Sequence, residues 1–155
     1  GMVDGHKYIF GKRAVIYGEE DLVVGLASFL AEIGIYPVLC ASGGKSGSLA
    51  ESIKRVLSGL DCPIPEVLED VDFFDIEQRA EELDAELLVG HSKGYTMSRR
   101  KQIPLIRVGF PIHDRVGGQR ILHLGYDGAQ RLFDLITNAM IEKKQNDSSV
   151  GYSYM

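Results

Sequence analysis

The sequence predicts an α/β fold: a Rossmann-like three-layer αβα domain with a parallel sheet of four to five strands in the order 3-2-1-4-5, plus a long C-terminal helix. Three observations carry that prediction. Short β-branched or aliphatic runs alternate with amphipathic helices at a spacing that calls for right-handed crossovers. Strand ends are marked by Gly, Asp or Ser in positions that open helices. A final apolar stripe, Ala129, Leu132, Phe133, Ile136, Ala139 and Met140, repeats at helical period.

In chain order, Met2 to Phe10 holds a weak helical pattern, and Gly1 before Met2 reads as the remnant of a cleaved tag. Ala14 to Tyr17 is a short buried strand ending at Gly18. Asp21 is placed to cap the next helix, which turns Leu22, Leu26, Leu30 and Ile33 inward and stops at Gly34. Ile35 to Ala41 is the second strand, and the GGKSG segment, Gly43 to Gly47, reads as a flexible turn. Ser48 and Glu51 stand at capping-box spacing before a helix that ends near Gly59. Glu66 to Glu69 follows as a third strand. Asp72 to Leu83 is an acidic helix with Ile76, Ala80 and Leu83 inward. Glu86 to Val89 is the fourth strand, Ser92 to Gln102 a cationic helix, and Ile103 to Val108 the fifth strand. Asp127 and Gln130 stand at capping-box spacing ahead of the last helix. Residues 2–142 thus read as one domain, and 143–155 as a polar, disordered tail in which Tyr152, Tyr154 and Met155 are docking anchors.

Composition narrows the function classes. A net charge of -5 gives no electrostatic footprint for nucleic acid or an anionic membrane, and no apolar run nears the ~20 residues a membrane helix needs. Cys40 and Cys62 suit a reducing cytoplasm as small apolar residues. A cluster site normally needs about four thiolates, so two cysteines cannot hold one alone. His6, His91, His113 and His123 are scattered, with no metal-ligand spacing among them.

In a doubly wound sheet a ligand crevice opens at the C-terminal ends of strands one and four. Here that places Gly18 to Asp21 against Gly90 to Gly94, with Pro111 to Arg115 beside them. A dinucleotide fold would carry Gly-x-Gly-x-x-Gly after strand one; Glu19, Glu20 and Asp21 stand there instead and would repel phosphate. Gly44-Lys45-Ser46 resembles the end of a P-loop, but the leading glycine's place is taken by Leu39. Gly90-His91-Ser92-Lys93-Gly94 fits G-x-S-x-G between a strand and a helix, and Asp114 and His123 follow in the order of an α/β-hydrolase. Against a hydrolase with Ser92 as nucleophile, acid and base lie only nine residues apart and no HGGG-type segment occurs. The structural alternative is a helix start whose small residues allow close packing. A free-standing small-ligand module using the same crevice is the third possibility.

The segment GFPIHDR, Gly109 to Arg115, followed by Gly117 to Met140, resembles the C-terminal part of nitrogenase component 1 type proteins, on their β-type side. Gly11 to Val38 and Ala85 to Gly94 resemble the same region. The resemblance implies a longer chain of three Rossmann-like domains, of which this is the last. It implies an α-type partner in an α2β2 assembly, and a parent that carries an iron-sulfur cluster and an iron-molybdenum cofactor or its precursor. The cluster's cysteine ligands would belong to an N-terminal domain. Family α-type chains place a cofactor-ligating histidine just after the last strand; this sequence has Val108-Gly109-Phe110-Pro111 there, with His113 displaced, so no direct ligand is expected. The implied role is a non-catalytic part of an oxidoreductase-family protein in nitrogen fixation. The wording of 113–120 and of the C-terminus is nearer the scaffold chain for iron-molybdenum cofactor assembly; the alternative is the β-chain of the molybdenum-iron protein. The expected cleft rim is His91, Ser92, Lys93, Phe110, His113 and Arg115, where Lys93, Arg115 and Arg120 would help neutralise an anionic cluster held by other groups.

Overall fold

The structure, a computed structural model, describes residues 7–108 and 125–152. Its elements are β1 (Arg13–Gly18), α1 (Glu20–Glu32), β2 (Tyr36–Ser42), α2 (Leu49–Leu57), β3 (Glu66–Glu69), α3 (Phe73–Glu82), β4 (Leu87–Gly90), α4 (Tyr95–Lys101), β5 (Leu105–Arg107) and α5 (Gly125–Tyr152), with a 3-10 turn at Ser92–Gly94. The five strands pair in parallel in the order β3-β2-β1-β4-β5, as the alternation of runs predicts. Between Ala14↔Pro37 and Val15↔Leu39 the register of β1 on β2 slips by one residue. Proline has no N–H for the ladder, and the irregularity falls beside it.

Strand alternation sorts the core into two layers. Ala14, Ile16, Cys40, Leu87, Val89 and Ile106 face α1, α2 and α5. Val15, Tyr17, Leu39, Ala41 and Leu88 face α3 and α4, meeting Ile76, Ala80 and Met97. Fully burying one such aliphatic side chain contributes about 1.5–3 kcal/mol, so the strands between two helical layers anchor the fold. The inward positions of α1 (Leu22, Leu26, Leu30, Ile33) and of α5 (Leu132, Phe133, Ile136, Met140) are those read from the period.

Helix ends depart from the sequence reading. α1 begins at Glu20 with Glu19 at its N-cap, so Asp21 lies inside the first turn and does not cap it. Ser48 does sit at the N-cap of α2, but its side chain makes no cap bond; its Oγ donates to Glu20 Oε2 at 3.2 Å instead. The Ser48 backbone is in the right-handed helical region (φ -113°, ψ -2°), not the extended conformation from which an N-cap oxygen reaches the first-turn N–H groups. The reciprocal box falls at α3, where Asp72 Oδ1 accepts from Asp75 N at 3.0 Å and Asp75 reaches back to Asp72 N. The expected single helix after β4 breaks into the 3-10 turn and the seven-residue α4, which ends at Gln102 in the left-handed region. α5 starts at Gly125, which puts Asp127 inside the helix, and Gln130 Nε2 donates forward to Asp134 Oδ1 at 3.0 Å. The same helix continues through the segment expected to be a disordered tail as far as Tyr152. His6, Tyr154, Met155 and the whole of 109–124 lie outside the described residues.

Candidate functional site

A cleft of about 940 Å³ opens at the C-terminal ends of β1, β2 and β4. The crevice expected between strands one and four is there, and it extends sideways over Ser42, the 43–46 loop and Phe73. Its floor is Tyr17, the penultimate residue of β1, which is 1% exposed. The Tyr17 ring packs edge-on against Phe73 and against His91, with centroids 4.9 Å apart in both cases, and Phe73 and His91 are themselves 5.4 Å apart. Such edge-to-face pairs contribute about 0.5–1.5 kcal/mol beyond their buried area. Tyr17 Oη donates to the His91 carbonyl oxygen at 2.6 Å. Burial pushes the phenol far above its usual range, partly offset by the backbone of Gly94 and the charge of Arg107. Tyr17 therefore stays protonated near neutral pH and acts as a positioning group.

This ring accounts for the glycines of the G-x-S-x-G segment. A Cβ on Gly90 would stand 2.5 Å from Tyr17 Cε2 and Cζ, and one on Gly94 would stand 2.0 Å from Tyr17 Oη. Both glycines are room for a tyrosine that sequence reasoning passed over as an ordinary strand residue. Ser92 opens the 3-10 turn, and the only non-glycine residues at positive φ among the described residues are Asp70, Asp84 and Gln102. The strained backbone of a nucleophile elbow is not present at Ser92. Its two proposed partners, Asp114 and His123, lie outside the described residues, as do Phe110, His113, Arg115 and Arg120. Of the expected rim, the structure brings His91 and Lys93 to the cleft, with Ser92 between them in the chain.

The opposite wall is the β2–α2 loop, which is anchored and not the flexible turn expected. The Ser46 hydroxyl has one proton to share between Glu20 Oε1 and Glu69 Oε1, and Gly47 N donates to Glu69 Oε1 at 3.1 Å. Lys45 Nζ lies 3.5 Å from Asp70 Oδ2, and Asp70 N donates to Gly44 O at 2.8 Å. Glu20 is thus a tether for loop hydroxyls, a use that spacing alone did not reveal. A second unforeseen feature is Tyr95, whose ring lies 5.8 Å from the Arg99 guanidinium and 5.4 Å from that of Arg107, with Arg99 Nη1 donating to its Oη at 3.0 Å. The Tyr-x-x-x-Arg spacing, one helical turn, was the available signal.

The described residues do not fit an iron-sulfur cluster. Cys40 sits on the sheet face covered by α1, α2 and α5, away from the cleft, and burial pushes its thiol up to about 12. Burial also raises the Cys62 thiol. Metal ligation needs thiolates, which these groups resist forming. Among the described residues no three His, Cys, Asp or Glu side chains are grouped to hold a metal ion, and no helix is long and apolar enough to cross a membrane.

Comparison with known proteins follows the same lines. Residues 1–141 match the family model described as nitrogenase component 1 type oxidoreductase. The chain is 41% identical over 142 residues to the nitrogenase vanadium-iron protein beta chain of Trichormus variabilis, covering 87% of this chain and 30% of that one. It is 37% identical over 137 residues to the nitrogenase molybdenum-iron protein beta chain of Methanothermobacter thermautotrophicus, again 30% of the relative against 88% of this chain. A solved structure titled nitrogenase Cp1 at pH 6.5 superposes with a TM-score of 0.80 at 31% identity, over 94% of this chain and 32% of that one. The chain therefore spans about a third of the length of the relatives it matches.

Proposed function

Because this chain belongs to the nitrogenase component 1 type oxidoreductase family, on its β-type side, we propose that it serves as the C-terminal domain of a β-type chain and acts as a mount, not as a ligand donor. The observation that carries this reading is the Tyr17–Phe73–His91 lock. Tyr17 packs against Phe73 and His91 and donates to the His91 carbonyl, which holds the turn bearing His91, Ser92 and Lys93 in place. Lys93 at the cleft and the Arg99–Tyr95–Arg107 stack, together with Arg115 and Arg120, would offset the charge of a metal-sulfur cluster whose ligands come from elsewhere. The parent chain would carry an iron-sulfur cluster and an iron-molybdenum-type cofactor, and would pair with an α-type chain in an α2β2 assembly in the cytoplasm.

Relatives named as beta chains of both vanadium-iron and molybdenum-iron proteins favour a nitrogenase β-chain as the parent. The scaffold for iron-molybdenum cofactor assembly is the second reading, supported by the wording of residues 113–120. Two experiments test these readings. After anaerobic reconstitution with iron and sulfide, this chain should hold no stoichiometric iron by elemental analysis; stoichiometric uptake would overturn the mount. In extracts of a strain lacking the parent gene, added isolated cofactor should fail to restore acetylene reduction. Restoration would identify the assembly scaffold instead.

A further inference from the structure

We infer that a trough at the strand-entry end of the sheet, remote from the cleft, docks an acidic segment of a partner protein that also carries apolar side chains. A depression of about 570 Å³ there is lined by Lys7, Tyr8, Lys12, Met140 and Lys144. A second, of about 490 Å³, shares Ile103 and Lys143 with it; Pro104, Leu105 and Ala139 form its apolar wall, and Glu142 and Asn146 stand on its polar side. The two form one elongated trough between α5 and the starts of β4 and β5.

Its charge runs against that of the molecule. The chain carries a net charge of -5, yet four lysines line the first depression with Glu86 as the one carboxylate there. Glu86 is already engaged: Lys12 Nζ lies 3.5 Å from Oε2, and Arg13 contributes its backbone N at 3.1 Å and Nη2 at 3.5 Å to Oε1. Lys7 and Lys144 both sit over the Tyr8 ring, at 5.1 and 5.5 Å from its centroid. Both ammonium groups are thus held near one aromatic ring at the mouth of the depression, where they add to its positive charge.

The shape selects the occupant. A small inorganic anion would meet the positive charge and leave the half-buried Ile103, Leu105 and Ala139 uncovered. A nucleic acid or anionic membrane would meet an acidic molecule outside this recess. An extended or helical segment with carboxylates at one end and leucine-like side chains at the other fills both halves. This inference stands apart from the mount, because it uses the opposite end of the strands.

The test is fluorescence anisotropy of this chain with a labelled short peptide that carries glutamates at one end and leucines at the other. Saturable binding that weakens with salt is expected. The Lys7→Glu/Lys144→Glu pair should weaken it by at least about tenfold, Lys144→Gln less, and Lys54→Glu on α2 not at all. Circular dichroism of each variant separates lost docking from lost folding. No binding to wild type, an equal loss with Lys54→Glu, equal binding of an all-glutamate peptide, or displacement by inorganic phosphate at matched ionic strength would each overturn the proposal.

Discussion

Replacing Gly94 by alanine puts a methyl group where the Tyr17 hydroxyl already stands, 2.0 Å from Oη and 2.9 Å from Cζ. A surface tyrosine would swing aside at little cost. Tyr17 cannot, because Phe73 and His91 pack against its ring and the His91 carbonyl holds its hydroxyl. Backbone strain is not the issue at Gly94, whose φ is -76°. Overpacking of this kind costs about 1–3 kcal/mol. Gly90→Ala should cost a similar amount, since its Cβ would stand 2.5 Å from Cε2 and Cζ. The two variants part company when Tyr17→Phe is added. That change costs about 1 kcal/mol alone through the lost hydrogen bond. It removes the atom that Gly94→Ala strikes hardest and leaves all three ring carbons that Gly90→Ala strikes. Urea unfolding followed by circular dichroism should therefore give a coupling of about 1 kcal/mol or more between Tyr17→Phe and Gly94→Ala, and close to none with Gly90→Ala. If both alanine variants match wild type, or if Tyr17→Phe rescues both equally, the lock is not what requires these glycines.

Two further outcomes follow from the titrating groups. With its thiol pushed up to about 12 inside the helix-covered core, Cys40 should resist iodoacetamide at pH 8 in the native state while the half-buried Cys62 reacts first; equal rates by mass spectrometry would contradict the placement. Arg100 holds the Glu77 carboxyl below its ordinary 4.5, with Nε donating to Oε2 at 2.7 Å. The unfolded chain then takes up the proton first as pH falls, so this pair's stabilisation is full above about 4.5 and drains below it. Arg100→Gln should flatten that part of the stability–pH curve; an unchanged slope in acid denaturation would refute it.

The strand order was legible in the residues because each strand is an aliphatic run between amphipathic helices, and parallel connections leave few topologies. The ends of helices were less legible. Asp21, Ser48 and Asp127 have the right side chains for caps, but Ser48 has a helical backbone instead of the extended one a cap needs, and the helices at Glu20 and Gly125 start earlier than the spacing suggests. The true box, Asp72 with Asp75, lacks the Glu or Gln usual at its third position and so went unread. At the cleft the crevice was foreseen and its floor was not. Nothing in Ala14 to Tyr17 marks its last member as a space-filling ring; the mark lay 73 residues away in Gly90, where a catalytic motif offered a competing explanation. The loop at 43–47 looked slack because glycine and serine dominate it, while its anchors, Glu20 and Glu69, come from other elements.

α5 is 28 residues long, roughly 42 Å at about 1.5 Å per residue, whereas the six residues of β1 reach only about 20 Å. Its packed residues, Leu132 to Met140, occupy the middle of that length. Leu132, Phe133, Ile136 and Met140 seat the helix on the sheet, and its backbone runs on past Lys143 and Lys144 to Tyr152. Any load that tilts one end of so long a rigid helix about those seated residues must shift the other end in the opposite sense.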